Sequence, residues 1–147
     1  MKKNLIITAI ASIGIILGFI SYNPMKMMLT EKPVEKTIAY QVYRAANYSS
    51  EAYNQTSAQV HIIVEKVSKH TRTIVWEKTM DAQLLKQYPT LNNAAYEKIH
   101  IPGIVDRKEH LEVKYVLTYD SKGSQLEMQS GTVVSAGAKT GKLEIGI

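Results

Sequence analysis

Four histidines, thirteen acidic side chains and nine tyrosines are the residues of this chain that could do chemistry. Cysteine is absent, so a thiolate nucleophile, a Cys-ligated zinc and a disulfide framework are all impossible. A zinc site would then need histidines and carboxylates that converge. Asp106, Glu109 and His110 are the tightest such group, but they sit in a charged stretch, Asp106-Arg107-Lys108-Glu109, that reads as a solvated turn. No metal site is expected there. His61 and His100 fall on the polar faces of their strands and His70 falls in a turn. None has a third group in view to orient it as a general base.

Other constellations fail on a physical requirement. Gly141-Lys142 invites comparison with a phosphate loop, but Ala136 stands where the first glycine should be. Leu143 replaces the hydroxyl that would hold magnesium, and the segment leads into a strand rather than a helix. Ser135 in Val-Val-Ser-Ala-Gly lacks the first glycine of a nucleophile elbow. Paired carboxylates can be drawn from thirteen acids, but sequence supplies no separation between them. No catalytic residue and no cofactor is therefore expected.

Tyrosine is the unusual item, with nine against one Phe and one Trp. Tyr40, Tyr115 and Tyr119 fall on apolar strand faces and are expected in the core. Tyr43, Tyr48, Tyr53, Tyr88 and Tyr96 fall on polar faces or in loops. Exposed tyrosine offers large contact area at low entropic cost, which suits recognition. Tyr48, Tyr53 and Tyr88 are the expected ligand-binding residues, with the Tyr48–Tyr53 loop as their centre. Ordinary strand composition is the simpler explanation of the same tyrosines, since tyrosine favours sheets. Two glycosylation sequons, Asn47-Tyr48-Ser49 and Asn54-Gln55-Thr56, share that loop and matter only in a eukaryotic secretory pathway.

The elements that must position these residues are mostly strands. The sharpest alternation runs from Leu111 to Asp120. Leu111, Val113, Tyr115, Leu117 and Tyr119 take one face, with Tyr115 expected as a large buried side chain at the centre. A turn at Ser121-Lys122-Gly123 follows, and the return strand is read with Leu126 and Met128 inward and Gly131 as a bulge or bend. An earlier hairpin has Ala58, Val60, Ile62 and Val64 inward, a turn over Ser68 to Thr71, and Ile74 and Trp76 inward on the return. Further strands surround Ile38, Tyr40 and Val42, then Ile99 and Ile101, and finally Leu143, Ile145 and Ile147. Asp81 is expected to cap a helical turn over Ala82–Lys86 that Pro89 stops, within a long connection between sheets reaching Ala95. About seven strands, each with one apolar face, need two sheets. The expected fold is an all-β sandwich of immunoglobulin-like or fibronectin-like type, with a small β-barrel as the alternative.

Ahead of this domain, Lys2 and Lys3 precede an 18-residue run without charge, Leu5 to Tyr22. A spanning helix needs about 17–25 residues, so the run reads as a hydrophobic N-terminal helix that anchors the chain. Phe19 and Ile20 occupy positions where signal peptidase wants small residues, which favours an uncleaved signal-anchor over a cleaved signal. The basic N-terminus would stay inside and the domain would lie outside, in a periplasm or extracellular space. The expected organisation is 1–22 anchor, 23–36 tether and 37–147 β-sandwich domain. The net charge is +5, two of it from Lys2 and Lys3, and lacks the dense basic stripe of a nucleic-acid binder. The leading expectation is a membrane-anchored, non-enzymatic interaction or structural module, with another protein or a saccharide as its partner besides the membrane. A secreted domain binding a saccharide or other ligand is the runner-up, and a hydrolase with an unrecognised site is third.

Overall fold

Alternating sequence becomes eight strands in the computed structural model, which describes residues 31–147. The expected anchor, Leu5 to Tyr22, lies outside the described residues, as does most of the expected tether. The strands are β1 (Val34–Tyr43), β2 (Thr56–Ser68), β3 (Arg72–Thr79), β4 (Gln83–Leu84), β5 (Ala95–Ile104), β6 (Glu109–Ser121), β7 (Ser124–Val134) and β8 (Thr140–Gly146). They form two sheets, ordered β5-β1-β8 and β3-β2-β6-β7, with the two-residue β4 also on β2. β1 pairs antiparallel with β5 and parallel with β8. The fold is all-β and β-sandwich-like, without a closed barrel. Among the described residues no helix is long and apolar enough to cross a membrane.

One apolar face from each sheet makes a shared core. Ile38, Tyr40 and Val42 of β1, with Leu143 and Ile145 of β8, meet Val60, Ile62 and Val64 of β2 and Val113 and Leu117 of β6. The expected register of β6 holds. Leu111, Val113 and Leu117 are buried, while Tyr115 and Tyr119 are half-buried and packed against the core. Tyr115 is thus at the margin of the core and not at its centre. The β6–β7 turn has two residues, Lys122 and Gly123, at φ 53° and 85°. Both lie in the left-handed region that a type I′ hairpin needs, and Asp120 Oδ1 accepts from Gly123 N at 3.2 Å.

Several expectations give way. Ile74 is exposed, because the pairing of β2 with β3 slips between Val64 and Glu65. Trp76 stays inward opposite Val64, while Ile74 comes opposite Glu65 on the outer face, as a β-bulge requires. Leu126 and Met128 are 60% and 55% exposed. They do lie on the inner side of β7, opposite Tyr119 and Leu117, but the three-stranded sheet does not extend over them. Gly131 is no bulge, since β7 pairs with β6 without a register shift. Glycine is needed there for closeness: a Cβ would stand 2.4 Å from the Val113 carbonyl oxygen.

The turn expected over Ala82–Lys86 is instead β4 followed by a 3₁₀ turn, Leu85–Gln87, with Leu84 rather than Asp81 at its N-cap. Residues 83 and 84 find strand partners in Ala58 and Ser57, which outcompetes a short isolated helix. The segment still links the two sheets, as expected. β1 begins at Val34, inside the expected tether, and Lys36 is fully buried. Lys36 shares the parity of Ile38, Tyr40 and Val42, so the inner face of β1 starts with a cation.

Candidate functional site

The tyrosine loop is built by local hydrogen bonds. Asn47 Oδ1 accepts from Ser49 N at 3.1 Å, and Ser50 caps a 3₁₀ turn, Glu51–Tyr53, by accepting from Ala52 N. This folds Tyr48 and Tyr53 edge to face, with ring centroids 5.1 Å apart. Tyr48 is half-buried against the core and Tyr53 is 40% exposed. Burial, with Tyr53 beside it, raises the Tyr48 phenol above its ordinary value.

The same end of the molecule receives the connection from β3 to β5. Arg44 N donates to Pro89 O at 2.6 Å, Arg44 Nη1 to Lys86 O at 3.1 Å, and Lys86 Nζ to Asn54 Oδ1 at 3.5 Å. The two segments singled out from the sequence therefore adjoin. Tyr88 does not join Tyr53 at the surface. It is 3% exposed, and its hydroxyl donates to Ala58 O at 2.8 Å. Burial, then the neighbouring Tyr119, pushes its phenol up to about 12. Pro89 and the 3₁₀ turn direct Tyr88 into the core, so it supports the loop and offers a ligand nothing. Tyr96 is exposed under the Lys98 ammonium, 5.7 Å from the ring centroid, on β5.

The histidines and acids go elsewhere. Asp106 pairs with buried Lys36 at 2.6 Å and accepts from Gly137 N at 2.6 Å. The Lys36 ammonium is the main cause of its lowered pKa. Glu109 accepts from Val105 N at 2.8 Å, and His110 lies 3.5 Å from Glu112. Among the described residues no three His, Asp or Glu side chains converge on a metal position. His61 sits 3.7 Å from Glu77 and His100 sits 3.1 Å from Glu35, both at the surface.

Three features escape a strand-by-strand reading. Lys36 also donates to Ser135 O at 2.7 Å, so with Asp106 it fastens the loop after β7. On the outer face of the larger sheet, Arg72 bridges Glu65 and Glu112, and Lys114 reaches Glu65 at 2.7 Å and Glu112 at 3.3 Å. Arg72 is the chief cause that holds the Glu112 carboxyl at about 2. Leu126 and Met128 are the third, an apolar pair on an edge strand. Parity puts Lys36 on the inner face of β1, but its pairing with Asp106 and the sheet order behind the other two are not written in any one segment. No protein-family model, no curated protein and no solved structure matches this chain.

Proposed function

We propose that the chain is a membrane-anchored module, displayed outside the cytoplasm, that works by contact with another protein rather than by catalysis. The observation that carries the contact reading is the exposed apolar pair Leu126 and Met128 on a strand face that the second sheet leaves uncovered. Apolar side chains grouped at a sheet edge mark interaction surfaces more often than scattered ones do. The anchor rests on Lys2, Lys3 and the uncharged run Leu5 to Tyr22. Within the all-β class we place the fold among the immunoglobulin-like sandwiches. Seven long strands in two sheets, with the first and last strands side by side, support that placement.

Tyr53 supports a second reading, a secreted ligand-binding domain with a saccharide stacked at the loop. Its ring is accessible and is held edge-on by Tyr48. One experiment separates the two. The full chain, tagged after Ile147, is expressed, fractionated and treated with protease from outside, and its N-terminus is determined by mass spectrometry. A membrane-bound, protease-accessible chain with an intact Met1 or Lys2 end is the expected result. A soluble cytoplasmic chain would overturn the proposal, and a shortened chain in the medium would favour the second reading.

A further inference from the structure

Apart from the two-residue β4, four strands form the edges of the two sheets: β5 and β8 of one, β3 and β7 of the other. An edge exposes a row of unpaired backbone groups, which folded proteins blunt with charge, proline, bulges or brevity. β5 carries Glu97, Lys98 and Pro102, and its pairing with β1 is irregular between Val34 and Lys36. β3 carries Arg72, Glu77, Lys78 and the bulge. β8 is seven residues long and includes Lys142 and Glu144. β7 has only one of these devices, a single charge. It is 11 residues long, regular in register, free of proline, and charged only at Glu127. Among the described residues only β6 pairs with it.

We propose that β7 is the seam of a homodimer, in which a second copy of the chain adds its own β7 antiparallel and Gln129 faces Gln129 on the two-fold axis. This rests on the protein-contact reading above and names the partner. The register follows from the hairpin. A two-residue turn makes Ser121 and Ser124 a hydrogen-bonded pair, and the alternation of an antiparallel ladder carries that pattern along the strand. Leu126, Met128 and Ser130 then exchange bonds with β6, while Glu127, Gln129 and Gly131 aim their backbone groups at the free edge.

Centring on Gln129 sets Glu127 of one copy opposite Gly131 of the other. Gly131 has no side chain and floors a shallow groove of about 500 Å³ that Lys114, Val116 and Val133 also line. The Glu127 carboxylate fits there, beside the Lys114 ammonium. Centring on Glu127 would instead oppose two carboxylates directly, which is destabilising. On the inner side the chosen register sets Met128 opposite Ser130 and diagonal to Met128 of the other copy, so the exposed Leu126 and Met128 of the two copies meet end to end through their methionines. An isologous contact of this kind closes on itself and stops at two.

The test uses the full chain in membranes or detergent. Because the chain has no cysteine, Gln129→Cys carries the only thiol. Facing residues of a hydrogen-bonded pair have Cα atoms about 5.5 Å apart, within disulfide reach. Oxidation should therefore convert most of the chain to a covalent dimer. Glu127→Cys places its two thiols roughly 14 Å apart, four residues along the strand, and should link at least about tenfold less. Gln129→Pro removes an outward N–H that the fold does not use, and should abolish the dimer while leaving far-UV circular dichroism unchanged. Should proline disturb the strand, Glu127→Lys answers the same question: it sets two ammonium groups together and should weaken the dimer without touching the core. Equal linking by the two cysteine variants, a monomeric parent chain, or indifference to Glu127→Lys would overturn the seam. Loss of the Gln129→Cys link from a chain still anchored and outward-facing defeats only the seam. A linked dimer from a cytoplasmic chain defeats only the anchored reading.

Discussion

The two sides of the sandwich are closed by different means. On one side the inner face of β3 meets the smaller sheet through Trp76, whose ring is 6.0 Å from that of Tyr40 on β1. Lys78 of β3 and Tyr40 of β1 both donate to Glu97 of β5. The sheets are stitched there by an aromatic pair and an ion pair. On the other side, β7 is covered only at its C-terminal end. Val134 is buried, packs against Gly141 of β8, and leads to Ser135, which Lys36 fastens. At its N-terminal end the inward residues are Leu126 and Met128, and the smaller sheet leaves them bare. Alternation states which way a side chain points. It does not state whether anything lies in that direction.

Buried positions should show this contrast most strongly. Leu117→Ala empties a fully covered site opposite Met128 and should cost about 4 kcal/mol in denaturant melts of the unit Glu31–Ile147. A loss below about 1 kcal/mol would mean that the covered zone ends earlier on β6 than the burial indicates.

The next effect concerns how the closed end of β7 is held. Lys36→Ala removes a buried cation from Asp106 and from the Ser135 carbonyl. Breaking a buried pair costs about 3–5 kcal/mol, and the lower figure is expected because Asp106 reaches solvent. Lys36→Met keeps the packing volume and should be milder. Faster amide exchange at Gly137 and Ala138 in the alanine variant would locate the loss at the loop.

Gly131→Ala tests the middle of the same strand. The added methyl would meet the Val113 carbonyl oxygen, which is backbone and can yield only if β6 and β7 separate. About 2 kcal/mol of destabilisation is expected, as for other overpacked sites.

Acid should act on both sides at once. Glu112 is held at about 2 chiefly by Arg72, Glu65 is lowered chiefly by Lys114, Glu97 by Lys78 and Asp106 by Lys36. Each carboxyl has a folded pKa below its unfolded value. Their contribution is therefore present above the ordinary carboxylate range and disappears as pH falls from about 4.5 toward 2. Denaturation midpoints should drop through that window, less steeply in high salt because the outer-face groups are solvated. Arg72→Met should flatten the part of the slope that Glu112 supplies. Lys114→Ala, silent if its face were only solvent, should destabilise measurably at low salt.

Much of this architecture was legible in the chain itself. Period-two patterning identified β1, β2, β6 and β8 with their inner residues, and Lys122-Gly123 identified a tight hairpin. Three kinds of information were not local. The bulge that turns Ile74 outward arises from how β3 meets β2. The burial of Lys36 depends on Asp106, seventy residues away. The exposure of Leu126 depends on the width of a sheet assembled from β5, β1 and β8. Of the expected ligand-binding tyrosines, Tyr53 is accessible, Tyr48 supports it from the core edge, and Tyr88 is enclosed. Loop tyrosines look alike in sequence, and the hydrogen bond from Tyr88 to Ala58 comes from a strand thirty residues earlier.

The smallest expected effect is the most discriminating. Leu126→Ser and Met128→Ser together replace two large apolar side chains on the inner parity of β7. If that face were covered, the pair would cost several kcal/mol, as Leu117→Ala does from the opposite strand. Both side chains are more than half exposed, so the unit Glu31–Ile147 should lose no more than about 0.5 kcal/mol. Serine retains an extended backbone without introducing charge, so the hairpin register should survive. A change in association without a change in the monomer's melt would separate the two roles that strand residues have here. Leu117 holds one copy together, whereas Leu126 and Met128 face whatever lies beyond it. A large loss of stability in the double variant would mean instead that the open side is closed within a single chain, and the contrast between the two sides of the sandwich would disappear.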